Sequence, residues 1–149
     1  MSPLVILTLV VGFASASEQA VPPDVRVTEI TPVRNGVPAR LCPGSDNTVR
    51  IGIAWSGAIP ERPIRVQISL VMREDPASGV LIAEGSVTPH STPSATTFTF
   101  LNVPVSARLR GRGARLVARV IADRSMSESD TTNNVRHLEV DDADWACHR

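Results

Sequence analysis

From Leu116 to Val140 the chain reads as two strands around a polar connector, and no other stretch constrains the fold as much. Leu116, Ala118 and Val120 alternate with Val117, Arg119 and Ile121, a period of two that suits a half-buried β-strand and no helix. The connector holds Asp123, Ser125, Ser127, Asp130, Asn133 and Asn134, whose short polar side chains bond to nearby backbone amides and so order a long turn. Val135 to Val140 is the return arm. One long antiparallel hairpin is the expectation.

The rest of the chain repeats the same grammar at short spacing. Pro22-Pro23 stiffens the start, and Asp24 to Ile30 reads as a first strand with Val25 and Val27 on one face. Asn35-Gly36 marks a tight turn, because both residues tolerate positive φ. After a second turn at Cys42 to Asn47, Thr48 to Trp55 puts Val49, Ile51, Ile53 and Trp55 on one side. Ile64 to Met72 is the longest clean alternation. Glu74 to Gly79 is composed like a turn, Val80 to Val87 like a weaker strand, and Pro89 to Pro93 like a loop. Thr96 to Val103 returns with Phe98 and Phe100 expected inward. The segment from Val103 to Gly113 carries no decisive pattern. Seven strands follow, and no helical periodicity over ten residues interrupts them beyond the N-terminus, so an all-β, immunoglobulin-like sandwich is expected.

The N-terminus stands apart. Leu4 to Phe13 is apolar and is followed by Ala14-Ser15-Ala16, the small residues a signal peptidase reads, so residues 1–16 are expected to be a signal peptide cleaved after Ala16. Ten residues of helix cover about 15 Å, half a bilayer core, which is too short for a transmembrane span. Residues 17–22 then form a linker, 23–140 the sandwich, and 141–149 an acidic tail. Secreted, periplasmic or extracellular placement follows from this reading. In such an oxidising setting the two cysteines, Cys42 and Cys147, are expected to form a disulfide. Topology agrees: strands that alternate in direction leave Cys42, after the first, and Cys147, after the seventh, at one pole. The tail would then fold back over the sandwich.

The hairpin also carries a resemblance. An apolar strand ending in Asp123, then Glu128-Ser129-Asp130-Thr131-Thr132-Asn133-Asn134, then another strand, resembles the last hairpin of CARDB modules, immunoglobulin-like domains of secreted bacterial and archaeal proteins. The resemblance extends over roughly Pro23 to Val140, with Pro-Asp ahead of the first strand and a Gly before the penultimate one. It implies a sandwich used in binding, cell adhesion or envelope assembly.

Charge and inventory narrow the function classes. Fifteen Arg balance fifteen carboxylates and there is no Lys, so no global attraction to nucleic acid is expected; three Phe, two Trp and no Tyr leave few platforms for bases. Arg108, Arg110, Arg112, Arg115 and Arg119 form the densest basic run, a candidate contact for an anionic polysaccharide or an acidic protein, set against the alternative of a solvated face paired with carboxylates. Asp123, Glu128 and Asp130 are hard oxygen ligands in type. Without EF-hand spacing or a Gly at the bend, they and Asn133 and Asn134 are read as a structural turn, and no metal or cofactor is expected. His90, His137 and His148 belong to no catalytic motif, and Trp55 and Trp145, which could stack on sugars, include one residue on an apolar strand face. No enzymatic activity is expected. An accessory role beside a secreted peptidase or other hydrolase is the alternative from another class.

Overall fold

The computed structural model describes residues 21–89, 96–121 and 131–147. Its first sheet has β1 (Asp24–Arg34), β2 (Val37–Pro38), β3 (Asp46–Ser56) and β6 (Thr97–Pro104) in the spatial order β2-β1-β3-β6. The second has β4 (Ile64–Met72), β5 (Asp75–Val87), β7 (Ala114–Ile121) and β8 (Val135–Glu139) in the order β5-β4-β7-β8. Every pairing is antiparallel. The result is an immunoglobulin-like β-sandwich in which, among the described residues, seven strands match the expected count and β2 is an additional two-residue pairing.

The core is made by the alternating positions. Val25 and Val27 of β1, Val49, Ile51, Ile53 and Trp55 of β3, Ile64, Val66 and Ile68 of β4, and Leu116, Ala118 and Val120 of β7 are all buried between the sheets. Each large side chain so buried is worth about 1.5–3 kcal/mol relative to exposure. A bulge between Val27 and Glu29 resets the parity of β1. After it Ile30 and Pro32 lie opposite the inward residues Ile51 and Val49, while Glu29 and Thr31 lie opposite Gly52 and Arg50, so the strand continues past Ile30 to Arg34. Asn35 and Gly36, with φ of 52° and 79°, close the tight turn into β2.

Two expectations are corrected. Phe98 and Phe100 face solvent, 43% and 58% exposed, while Leu101, Val103 and Val105 enter the core. The opposite parity of β6 includes Asn102 and Pro104, which an inward Phe pair would have drawn toward the core. Asp75 to Gly79 is strand and not turn: the β4–β5 hairpin closes at Arg73-Glu74, with Met72 opposite Asp75. Pro76 is accommodated because β5 is an edge strand, where a missing N–H leaves no ladder bond unmade. The undecided stretch after Val103 finishes β6 and then turns through a short 3-10 helix at Ala107–Leu109.

Cys42 and Cys147 are joined, with Cα atoms 5.8 Å apart. The tail reaches Cys42 by folding over the pole: Val140–Asp142 forms a 3-10 turn, Val140 and Ala143 are buried, and Asp144 N–H donates to Leu41 O at 2.8 Å. Asp141 and Asp142 stay exposed.

Candidate contact surface

Arg108, Arg110 and Arg112 lie on the turn between β6 and β7, at the pole where the disulfide sits. The backbone there is fixed from several sides. Gly44 N–H donates to Val105 O at 2.7 Å, Arg112 N–H to Leu109 O at 3.0 Å, and Arg73 N–H to Gly113 O at 3.0 Å. Ser106 Oγ accepts from Arg108 N–H at 3.2 Å, capping the 3-10 helix. Gly111 and Gly113, with φ of 66° and 62°, take the left-handed conformations that let the chain reverse. The three arginines therefore project into solvent from an ordered loop.

The folded-back tail meets this turn directly. Gly111 N–H donates to Asp141 Oδ1 at 3.1 Å, and the Arg110 guanidinium lies 5.6 Å from the centroid of the Trp145 ring, a cation–π arrangement. Trp145 is itself held by its indole N–H, which donates to Asp141 O at 3.3 Å. Beside the turn, Arg40, Leu138, Glu139, Asp141 and Asp142 line an open cleft of about 440 Å³. The basic turn thus has an acidic rim on the side of the tail.

Arg115 and Arg119 continue onto the outer face of β7. Arg115 is half-buried between Val71 and Glu139 in the register, and Arg119 is exposed between Gln67 and Val135. Arg119, Gln67, Ser69 and Val117 help line a shallow groove of about 200 Å³ closed on one side by Pro76 and Ala77. Further along this face, Glu84 accepts from Gln67 Nε2 at 2.7 Å and from Arg65 Nη2 at 3.0 Å. Those two contacts, Gln67 first, hold its carboxyl below the usual carboxylate range.

The remaining candidates are distributed elsewhere. Asp123, Glu128 and Asp130, with His90 and His148, lie outside the described residues, as do residues 1–16. Asn133 and Asn134 tie the closing hairpin to the first strand and to β7: Asn133 Nδ2 donates to Asp24 Oδ1 at 3.1 Å, Asn133 O accepts from Val27 N–H at 3.2 Å, and Asn134 O accepts from Val120 N–H at 2.9 Å. His137 sits on the outer face of β8, 4.0 Å from Glu139. Trp55 is fully buried in the core. Among the described residues no three His, Cys, Asp or Glu side chains are grouped to hold a metal ion, and no helix is long and apolar enough to cross a membrane.

Two constellations had no forecast. Asn47 is buried at the disulfide pole, bonded to the Cys42 peptide. Its place directly after Gly44-Ser45-Asp46 disguised it as one more turn residue. On the outer face of the first sheet, Arg50 donates from Nε and Nη2 to Glu29 Oε1 at 2.9 and 2.6 Å and lies 5.0 Å from the Phe98 centroid. Burial pushes the Glu29 carboxyl up, but hydrogen bonds from Thr31 and Arg50 and the Arg50 charge outweigh it and hold the group below its ordinary value. The bulge that turns Glu29 outward is the feature the alternation did not reveal.

No protein-family profile matches the chain, and no curated protein matches it. Among solved structures it is similar to the crystal structure of a CARDB domain from Pyrococcus furiosus in complex with di-metal ions. Identity is 19%, the match covers 80% of this chain and 92% of that one, and the TM-score is 0.57. The two-sheet architecture and this match together establish a CARDB-like β-sandwich fold for the chain.

Proposed function

We propose that the chain is an exported, non-catalytic binding module that contacts an anionic partner at the cell envelope through Arg108, Arg110 and Arg112, extended along β7 by Arg115 and Arg119. The supporting observation is the ordered turn: its backbone is hydrogen-bonded to Gly44 ahead of β3, to the β4–β5 connection and to the tail, while Arg108, Arg110 and Arg112 remain exposed. Charge carried on a preordered loop loses less conformational entropy on contact than charge on a free one. Exposed arginines at such a rim govern encounter and salt dependence more than dissociation. Secretion rests on the apolar run Leu4 to Phe13 and agrees with the disulfide.

The experiment is retention of the protein on an envelope fraction and, separately, on heparin as an anionic polysaccharide probe, across a salt series. Replacing Arg110 and Arg112 with Ser should lower retention and flatten its salt dependence. Retention by the envelope fraction and not by heparin would point to an acidic protein. Unchanged low-salt retention of the double variant on both would refute the assignment.

A further inference from the structure

Among the described residues the sandwich has four sheet edges, and three are guarded. β2 is two residues long, and the β1 edge beyond it carries Asp24, Arg26, Glu29 and a bulge; β8 is five and carries Arg136 and Glu139; β5 begins Asp75-Pro76, carries Glu84, and its register against β4 shifts between Ile68 and Ser69. Short length, charge, proline and bulges are the devices that stop an edge from recruiting another strand. β6 has almost none of them. Thr97 to Pro104 contains no charged residue, its register against β3 is unbroken over eight residue pairs, and its only proline is the terminal Pro104. Among the described residues β6 pairs with β3 alone. It also displays Phe98 and Phe100 to solvent, two residues apart on one face.

We propose that β6 is the interaction surface for a second copy of this chain, through antiparallel β6–β6 pairing about a two-fold axis at Thr99. In an antiparallel pair, residues opposite one another share a face. An axis at Thr99 sets Phe98 of each copy opposite Phe100 of the other, so the strand is its own complement in the isologous manner of two-fold dimers. Four rings then form one patch on the outer face of a continuous sheet of eight strands. Charge agrees with this occupant: a strand without charged side chains meets no repulsion from its own copy. The nearest charge, Arg50 beside both rings, is already neutralised by Glu29. The two half-exposed rings contribute roughly one ring's area per copy, on the order of 200 Å². With the backbone edge added, this remains at the small end of specific interfaces, so the dimer is weak and concentration-dependent.

Sedimentation velocity on the exported full chain, over roughly 10 µM to 1 mM, tests it. The wild type should shift from monomer to dimer, with amides of β6 gaining hydrogen-exchange protection in the dimer. Phe98→Glu with Phe100→Glu places carboxylates opposite carboxylates across the axis and should weaken dimerisation at least about tenfold, with the melting transition retained because both rings are exposed. Mixing that variant with one carrying Phe98→Lys and Phe100→Lys should restore a one-to-one dimer. A wild type that stays monomeric at the highest concentration, a dimer indifferent to the double Glu variant, or charge-swapped variants that fail to associate would each overturn the proposal.

Discussion

Asn47 grips the Cys42 peptide from both sides, its Oδ1 accepting from Cys42 N–H at 2.6 Å and its Nδ2 donating to Cys42 O at 3.1 Å. The same amide reaches Ser45 O at 3.0 Å, so one buried side chain satisfies the backbone around the disulfide. Asn47→Ala should cost about 1–3 kcal/mol, the penalty for stranding buried backbone groups, read by urea denaturation. Asn47→Asp should do no better, since a carboxylate has no N–H for the carbonyls of Cys42 and Ser45. Rescue by Asp would show that shape, and not the donor, matters.

Breaking the Cys42–Cys147 bond opens a loop with a sequence separation of 105 residues. In the chain-entropy account that loop closure is worth about 4–5 kcal/mol, a large share of a domain's stability. The double Cys→Ser variant should therefore melt far below the oxidised protein. Fluorescence resolves the order of events: Trp145, carried by the tail and packed against the edge of the core, should shift its emission to the red on reduction before Trp55, which is fully buried, does so. Simultaneous shifts would mean the tail has no independent opening.

Glu29 makes a pH-dependent contribution whose sign follows from its lowered pKa. A carboxyl held lower in the folded than in the unfolded chain stabilises fully above the unfolded value, and that stabilisation is lost as pH falls through the folded one. Between neutral pH and the acid side of the carboxylate range, Glu29→Gln should lose less stability than the wild type. Parallel stability curves for the two proteins would show that the Arg50 pairing is energetically silent.

Gly57 has φ of 76°, and a Cβ there would stand 2.5 Å from Pro22 O. Gly57→Ala should cost at least about 1–2 kcal/mol from the left-handed backbone alone. It should also weaken the Ala58 N–H to Val21 O bond that holds the start of the described chain, seen as faster exchange of the Ala58 amide.

What was legible in the sequence is what alternation encodes unambiguously. Ile64 to Met72 carries apolar residues on one parity and Arg65, Gln67 and Ser69 on the other, so its bounds and its faces both follow. Thr97 to Pro104 is uncharged on either parity, and two phenylalanines outweighed the quieter signal of Asn102 and Pro104 sharing their side. The Arg turn and the folded-back tail were each legible but their contact was not, because Gly111 and Asp141 stand 30 residues apart and no pattern at either position names the other. The partnership of Arg50 with Glu29 was hidden by a bulge, which changes parity without leaving a mark in composition.

The clamp between Cys42 and Cys147 also decides how the domain bears load. Tension applied between residue 21 and residue 147 travels along the first strand to Cys42 and crosses directly to Cys147, bypassing everything from β3 to β8. Only the segment ahead of Cys42 can unravel, giving roughly 70 Å of slack at about 3.4 Å per residue. Beyond that length the domain behaves as a tether of fixed reach, because no tension passes through the chain from β3 to β8 while the bond is intact.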